Sequence, residues 1–61
     1  MKLRLKERRK ELGLRQRDVA DRAGISASYY TEIELGKKTL NARRLDQIAK
    51  ALETTPRALI A

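Results

Sequence analysis

The chain has 61 residues, with 15 Lys and Arg against 8 Asp and Glu, a formal net charge of +7, and neither cysteine nor histidine. Those counts imply one small domain and exclude disulfide frameworks, His- or Cys-based metal sites and Ser-His or Cys-His catalytic pairs. No apolar run approaches the roughly 18 residues of a membrane span, and the basic N-terminus lacks the apolar stretch of a signal peptide, so a cytoplasmic protein is expected. A domain this basic suggests a polyanionic partner, nucleic acid before membrane surface; the alternative is that the charge simply keeps a small helical protein soluble.

The first predicted helix carries Leu5, Arg9 and Leu12 at i, i+4 and i+7, the spacing of one helical face, and Gly13 supplies its end. Leu14 leads into a second helix in which Val19, Ala20 and Ala23 repeat at helical spacing, closed by Gly24. Ser26 is a good N-cap for the third, which runs through Ile33 to about Leu35 before Gly36. After a loop, Asn41 is the N-cap candidate of a fourth helix striped by Leu45, Ile48, Ala49 and Leu52. Thr55-Pro56, an N-cap followed by proline at the first helical position, opens a short fifth helix with Leu59 and Ile60. The expectation is an all-α, compact five-helix bundle over residues 1–61, without strand, repeat or low-complexity segment. Helices this short are marginal alone and must stabilise one another by packing.

The joint Ala23-Gly24-Ile25-Ser26 carries the most information. A small residue, a glycine and an apolar residue between two helices make the helix-turn-helix pattern, in which Gly24 permits positive φ, Ala20 allows close approach and Ile25 enters the core. On a wheel of the third helix, Ala27, Ser28, Thr31, Glu32 and Leu35 fall within roughly 140° on one side, with Tyr30 and Ile33 opposite and Tyr29 at the boundary. Tyr30 is therefore expected in the core. The polar side is built of hydroxyls and carries no lysine or arginine. Serine and threonine are poorer helix formers than the Lys and Glu of an ordinary solvated face. Short side chains let a helix sit deep in the DNA major groove, where Ser and Thr bond base edges, a threonine methyl touches a thymine methyl, and Glu32 can accept from a cytosine amino group. An ordinary exposed face with an N-cap serine is the competing reading.

The run from Leu12 to Leu52, "LGLRQRDVADRAGISASYYTEIELGKKTLNARRLDQIAKAL", resembles the Cro/repressor-like (lambda-repressor-like, XRE-type) helix-turn-helix family of transcriptional regulators. The likeness extends over about Leu5 to Ile60 and includes Gln16, the Ala20 to Gly24 turn and "SASYYTEIELGKK", where relatives often carry "SxSYISxIExGK". It implies a five-helix fold binding DNA with helix 3 in the major groove; no cofactor or metal is expected. Gln16 matches the family glutamine that contacts phosphate and braces the recognition helix. Ala27, Ser28, Thr31 and Glu32 match base-facing positions, Tyr29 a position that touches the DNA backbone or a thymine, and Lys37 the basic loop that meets phosphate. Arg15, Arg17, Lys38, Arg43 and Arg44 are phosphate candidates from charge and placement alone, with plain solvation as the alternative for each.

Arg9 falls on the apolar stripe of helix 1, where a bare guanidinium would be costly. The family pairs an arginine here with the glutamate that matches Glu34, so a structural Arg9–Glu34 ion pair is expected. Three positions depart from the pattern. Ala27 replaces a long polar residue and allows no more than an apolar touch. Glu53 stands where the family often has a helix-ending glycine. Leu40 occupies a common proline position and is expected at the surface.

The leading expectation is a sequence-specific DNA-binding regulator, a repressor or autoregulator, acting as a homodimer on a palindromic double-stranded operator. Leu40, Leu59 and Ile60 offer apolar surface for the dimer, with core packing as the alternative for Leu59 and Ile60. A protein-interaction module, such as a DNA-binding antitoxin or the head of a larger regulator, is the competing class. An enzyme is not expected: Asp18, Asp21 and Asp46 fall on helix surfaces among arginines and form no nucleophile–base pair.

Overall fold

A computed structural model of the chain describes residues 3–60. Five helices follow in order: α1 (Leu5–Glu11), α2 (Gln16–Ala23), α3 (Ala27–Glu34), α4 (Ala42–Ala51) and α5 (Pro56–Leu59). Among the described residues there is no strand, only an isolated antiparallel bridge between Leu3 and Ile60.

The helix starts follow the local chemistry. Ser26, Asn41 and Thr55 each adopt an extended backbone, and each side-chain oxygen accepts from an amide three residues on, at Tyr29, Arg44 and Ala58. α2 begins without such a residue. Arg15 is its cap, and its amide is held instead by the Asp18 carboxylate at 2.8 Å. Gly24 ends α2 at φ 73°, the left-handed cap that lets the chain turn sharply into α3.

The core is aliphatic apart from one aromatic ring. Leu5, Val19, Ala20, Tyr30, Ile33, Ile48, Ala49, Ala51, Leu52 and Leu59 are buried, and Leu12, Leu14, Ala23, Ile25 and Leu45 pack around them. α2 packs against both α3 and α4, and α5 closes on α4. The fully buried Ala20 has no side chain beyond Cβ to hold the neighbouring helices away.

One expectation about apolar surface is corrected, and one open alternative is decided. Leu40 is half-buried and packs on the core rather than standing exposed. Leu59 is 1% exposed and is core, because α5 folds back onto α4; Ile60 keeps 43% of its surface.

The end of α4 is closed from outside. Glu53 takes φ 56°, the left-handed region where a glycine would be at ease. Two arginines surround it. Arg8 of α1 donates Nε to the Leu52 carbonyl at 2.9 Å and Nη2 to the Glu53 carbonyl at 3.1 Å. Arg22 of α2 donates Nη1 to the Ala51 carbonyl and to the Glu53 carboxylate, both at 3.2 Å. The carbonyls orphaned at a helix C-terminus thus meet cations, which the helix dipole also favours there.

Candidate nucleic-acid interface

α3 is held from behind by a chain of polar side chains. Arg9 makes a two-pronged contact with Glu34, Nε to Oε2 at 2.7 Å and Nη2 to Oε1 at 3.2 Å, and its third nitrogen donates to the Leu14 carbonyl at 3.0 Å. The pair is deep: the two side chains are 12% and 4% exposed. Gln16, the first residue of α2, donates Nε2 to Glu34 Oε1 at 3.1 Å, while its Oε1 accepts from the Thr31 hydroxyl at 3.1 Å. Four residues from three helices therefore form one connected network. The fork geometry of arginine suits it to this carboxylate better than lysine would.

The electrostatics follow from that packing. Burial works against ionisation of Glu34, but hydrogen bonds from Arg9 and Gln16, with Tyr30 near by, outweigh it and hold the carboxyl below its usual range. Arg9 is correspondingly raised, chiefly by its hydrogen bonds to Glu34. The Tyr30 hydroxyl is buried with no partner in hydrogen-bonding geometry. Burial, then the neighbouring Glu34 carboxylate, pushes the phenol far above its ordinary range.

The outer side of α3 presents short side chains. Ala27 and Ser28 are exposed, Thr31 and Glu32 are half-buried, and Leu35 at the C-cap is 64% exposed. Glu34 is neutralised from behind, so Glu32 is the one acidic group of α3 on this side. Tyr29 is half-buried at the flank, with the Arg44 guanidinium 5.5 Å from its ring centroid. Arg44 also donates to Gln47 of the same helix at 3.1 Å.

Lys37 and Lys38 lie in the loop after α3, Arg17 belongs to α2 and Arg43 to α4. Arg17, Lys37, Lys38 and Arg43 are exposed and make no salt bridge among the described residues. Arg15 is exposed but faces Asp18 at 3.1 Å, and hydrogen bonds from Arg15 hold the Asp18 carboxyl below its ordinary value. No group of three or more metal-ligating side chains occurs among the described residues, and no helix is long and apolar enough to cross a membrane. Sequence reasoning missed the capping arginines Arg8 and Arg22, which lie on exposed helix faces with no periodic signal. It also missed that the Thr31 hydroxyl is engaged within the protein.

A family profile described as helix-turn-helix matches residues 5–59. The chain belongs to that family. Helix-turn-helix proteins of the lambda-repressor-like, XRE type are DNA-binding transcriptional regulators, and the solved structures similar to this chain agree. The restriction-modification controller protein C.AhdI from Aeromonas hydrophila superposes with a TM-score of 0.89 and 33% identity, over 93% of this chain and 83% of that one. The DNA-binding domain of the P22 C2 repressor gives 0.84 and 30%, over 88% and 71%. The clp gene regulator ClgR from Corynebacterium glutamicum gives 0.85 and 26%, over 88% and 70%. No curated protein matches the chain.

Proposed function

We propose that the protein is a sequence-specific regulator that inserts α3 into the major groove of an operator and represses transcription, including that of its own gene. The observation that carries this reading is the make-up of the α3 surface. Short side chains at Ala27, Ser28 and Thr31 stand with Glu32 beside them, and α2, the loop after α3 and α4 carry four exposed cations free of salt bridges among the described residues. Bases are read by the former and phosphates held by the latter.

In this reading Arg17, Lys37, Lys38 and Arg43 bind phosphate, with Arg15 able to exchange Asp18 for it. Gln16 braces α3 and keeps one amide N–H for a phosphate oxygen, since its other N–H is on Glu34. Tyr29 lies against the backbone at the groove edge. Two copies bind a palindrome with half-sites about 34 Å apart, the exposed Ile60 contributing to the contact between them.

Fluorescence anisotropy with duplex from upstream of its own gene and a scrambled duplex, at two salt concentrations, tests the proposal. Preference for the upstream duplex that survives about 150 mM salt is expected, and Lys37→Ala should weaken all duplexes alike and reduce the salt slope by about one. Equal and steeply salt-sensitive binding to both duplexes would leave only the phosphate attraction and defeat the autoregulator reading.

A further inference from the structure

On the outer side of α3, Ala27, Thr31 and Leu35 stand at i, i+4 and i+8, successive positions of one ridge that turns only about 40° per step. Ala27 ends at its methyl. Leu35 is the most exposed large apolar side chain among the described residues, at 64%. Between them Thr31 would break the apolar ridge if its hydroxyl pointed outward. That hydroxyl is instead turned to α2, donating its single proton to Gln16 Oε1 at 3.1 Å. Gln16 is in turn fixed by its bond to Glu34, which Arg9 clamps from α1.

A threonine Cβ carries two heavy atoms besides Cα. With Oγ1 drawn back to Gln16, the Cγ2 methyl is the one left for the groove. The hydroxyl has no proton to give to guanine O6 or N7, nor to thymine O4.

Resting on the DNA-binding reading above, we infer that α3 selects thymine through its 5-methyl group at the Thr31 methyl, and that Gln16 is the positioning residue that turns the methyl outward. The thymine methyl is the one apolar group on a base edge in the major groove, so a ridge that offers carbon at three successive turns is matched by it. The net charge of +7, and the exposed Lys37 and Lys38 that follow Leu35 in the chain with no salt bridge among the described residues, make duplex DNA its occupant rather than an apolar protein segment.

The test begins with the 61-residue chain and a random duplex library. Each thymine of the enriched site is then replaced by deoxyuridine, which removes only the methyl. At least one replacement should weaken binding about fourfold, the value of one buried methyl group. Thr31→Ser keeps the hydroxyl for Gln16 and loses the methyl, so that penalty should vanish. Thr31→Val keeps the methyl and loses the hydroxyl, so the penalty should persist even where overall affinity falls. A specifically bound site with no deoxyuridine penalty, or penalties all unchanged in Thr31→Ser, overturns the inference and leaves the regulator reading standing. A library that enriches no site overturns both.

Discussion

Arg8 and Arg9 are neighbours on α1, yet they hold the fold together in different ways. Arg9 turns inward to a carboxylate that is 4% exposed, within a network that reaches Thr31 on the outer side of α3. Arg8 lies across the surface and closes the end of α4 by bonding two backbone carbonyls. The first contact sets one full charge against another away from water; the second sets a solvated charge against partial charges. Severing them should not cost the same. A buried ion pair contributes little over an apolar pair of the same shape, but half of one is expensive. The surface cap has water as a substitute.

The largest effect should come from breaking the inner pair. Glu34→Ala leaves Arg9 buried with one carbonyl partner and should cost about 3 kcal/mol or more, a fall in melting temperature beyond about 12 °C. An unchanged melting temperature would refute the structural role of the pair. Replacing both partners with apolar residues, Arg9→Met with Glu34→Leu, should restore most of the loss.

Acid tests the same contact without mutation. The folded Glu34 carboxyl ionises below its ordinary value of 4.5, so its contribution is present above that value and drains away as the pH falls below it. Thermal unfolding between pH 7 and 3 should therefore show a steeper acid loss in the wild type than in Glu34→Gln.

On the outer side, Arg8→Ala should cost about 1 kcal/mol, because its side chain is 32% exposed and water can take over the carbonyls. Glu53→Gly should raise stability by roughly 0.5 kcal/mol. It relieves the left-handed backbone at the loss of an exposed ion pair with Arg22 that is itself worth little. A destabilised Glu53→Gly would show that the Arg22 contact outweighs the strain. Tyr30→Phe should be the mildest, neutral or slightly stabilising, since the hydroxyl it removes is buried without a partner. A clear loss in the melting curve would mean that this hydroxyl bonds Glu34 in solution.

The inner region could be anticipated far better than the outer one. An arginine in the middle of an apolar stripe demands a partner, and the caps at Ser26, Asn41 and Thr55 announce themselves because their oxygens reach amides only three residues away. Leu5, Tyr30, Ile33 and Ile48 declare their burial by helical spacing. The surface cap leaves no such trace. Arg8 reaches Leu52 and Glu53 across more than forty residues, and Arg22 reaches Ala51 across nearly thirty. Both sit on polar faces where any long cation would fit the pattern. Glu53 looked out of place only until these two arginines surrounded it. At Thr31 the wheel gives the direction of Cβ, not which of its two branches, hydroxyl or methyl, the neighbouring helix will engage.

The Leu3–Ile60 bridge, reinforced by the Arg4 amide on the Leu59 carbonyl at 2.7 Å, draws the first and last described residues together. Topologically the fold is nearly a ring. A short linker across that bridge, with a new opening in the exposed 36–39 loop, should yield a circular permutant that keeps all five helices. It would also detach the covalent link between α3 and α4, separating what the loop's lysines contribute from what the chain through them holds in place.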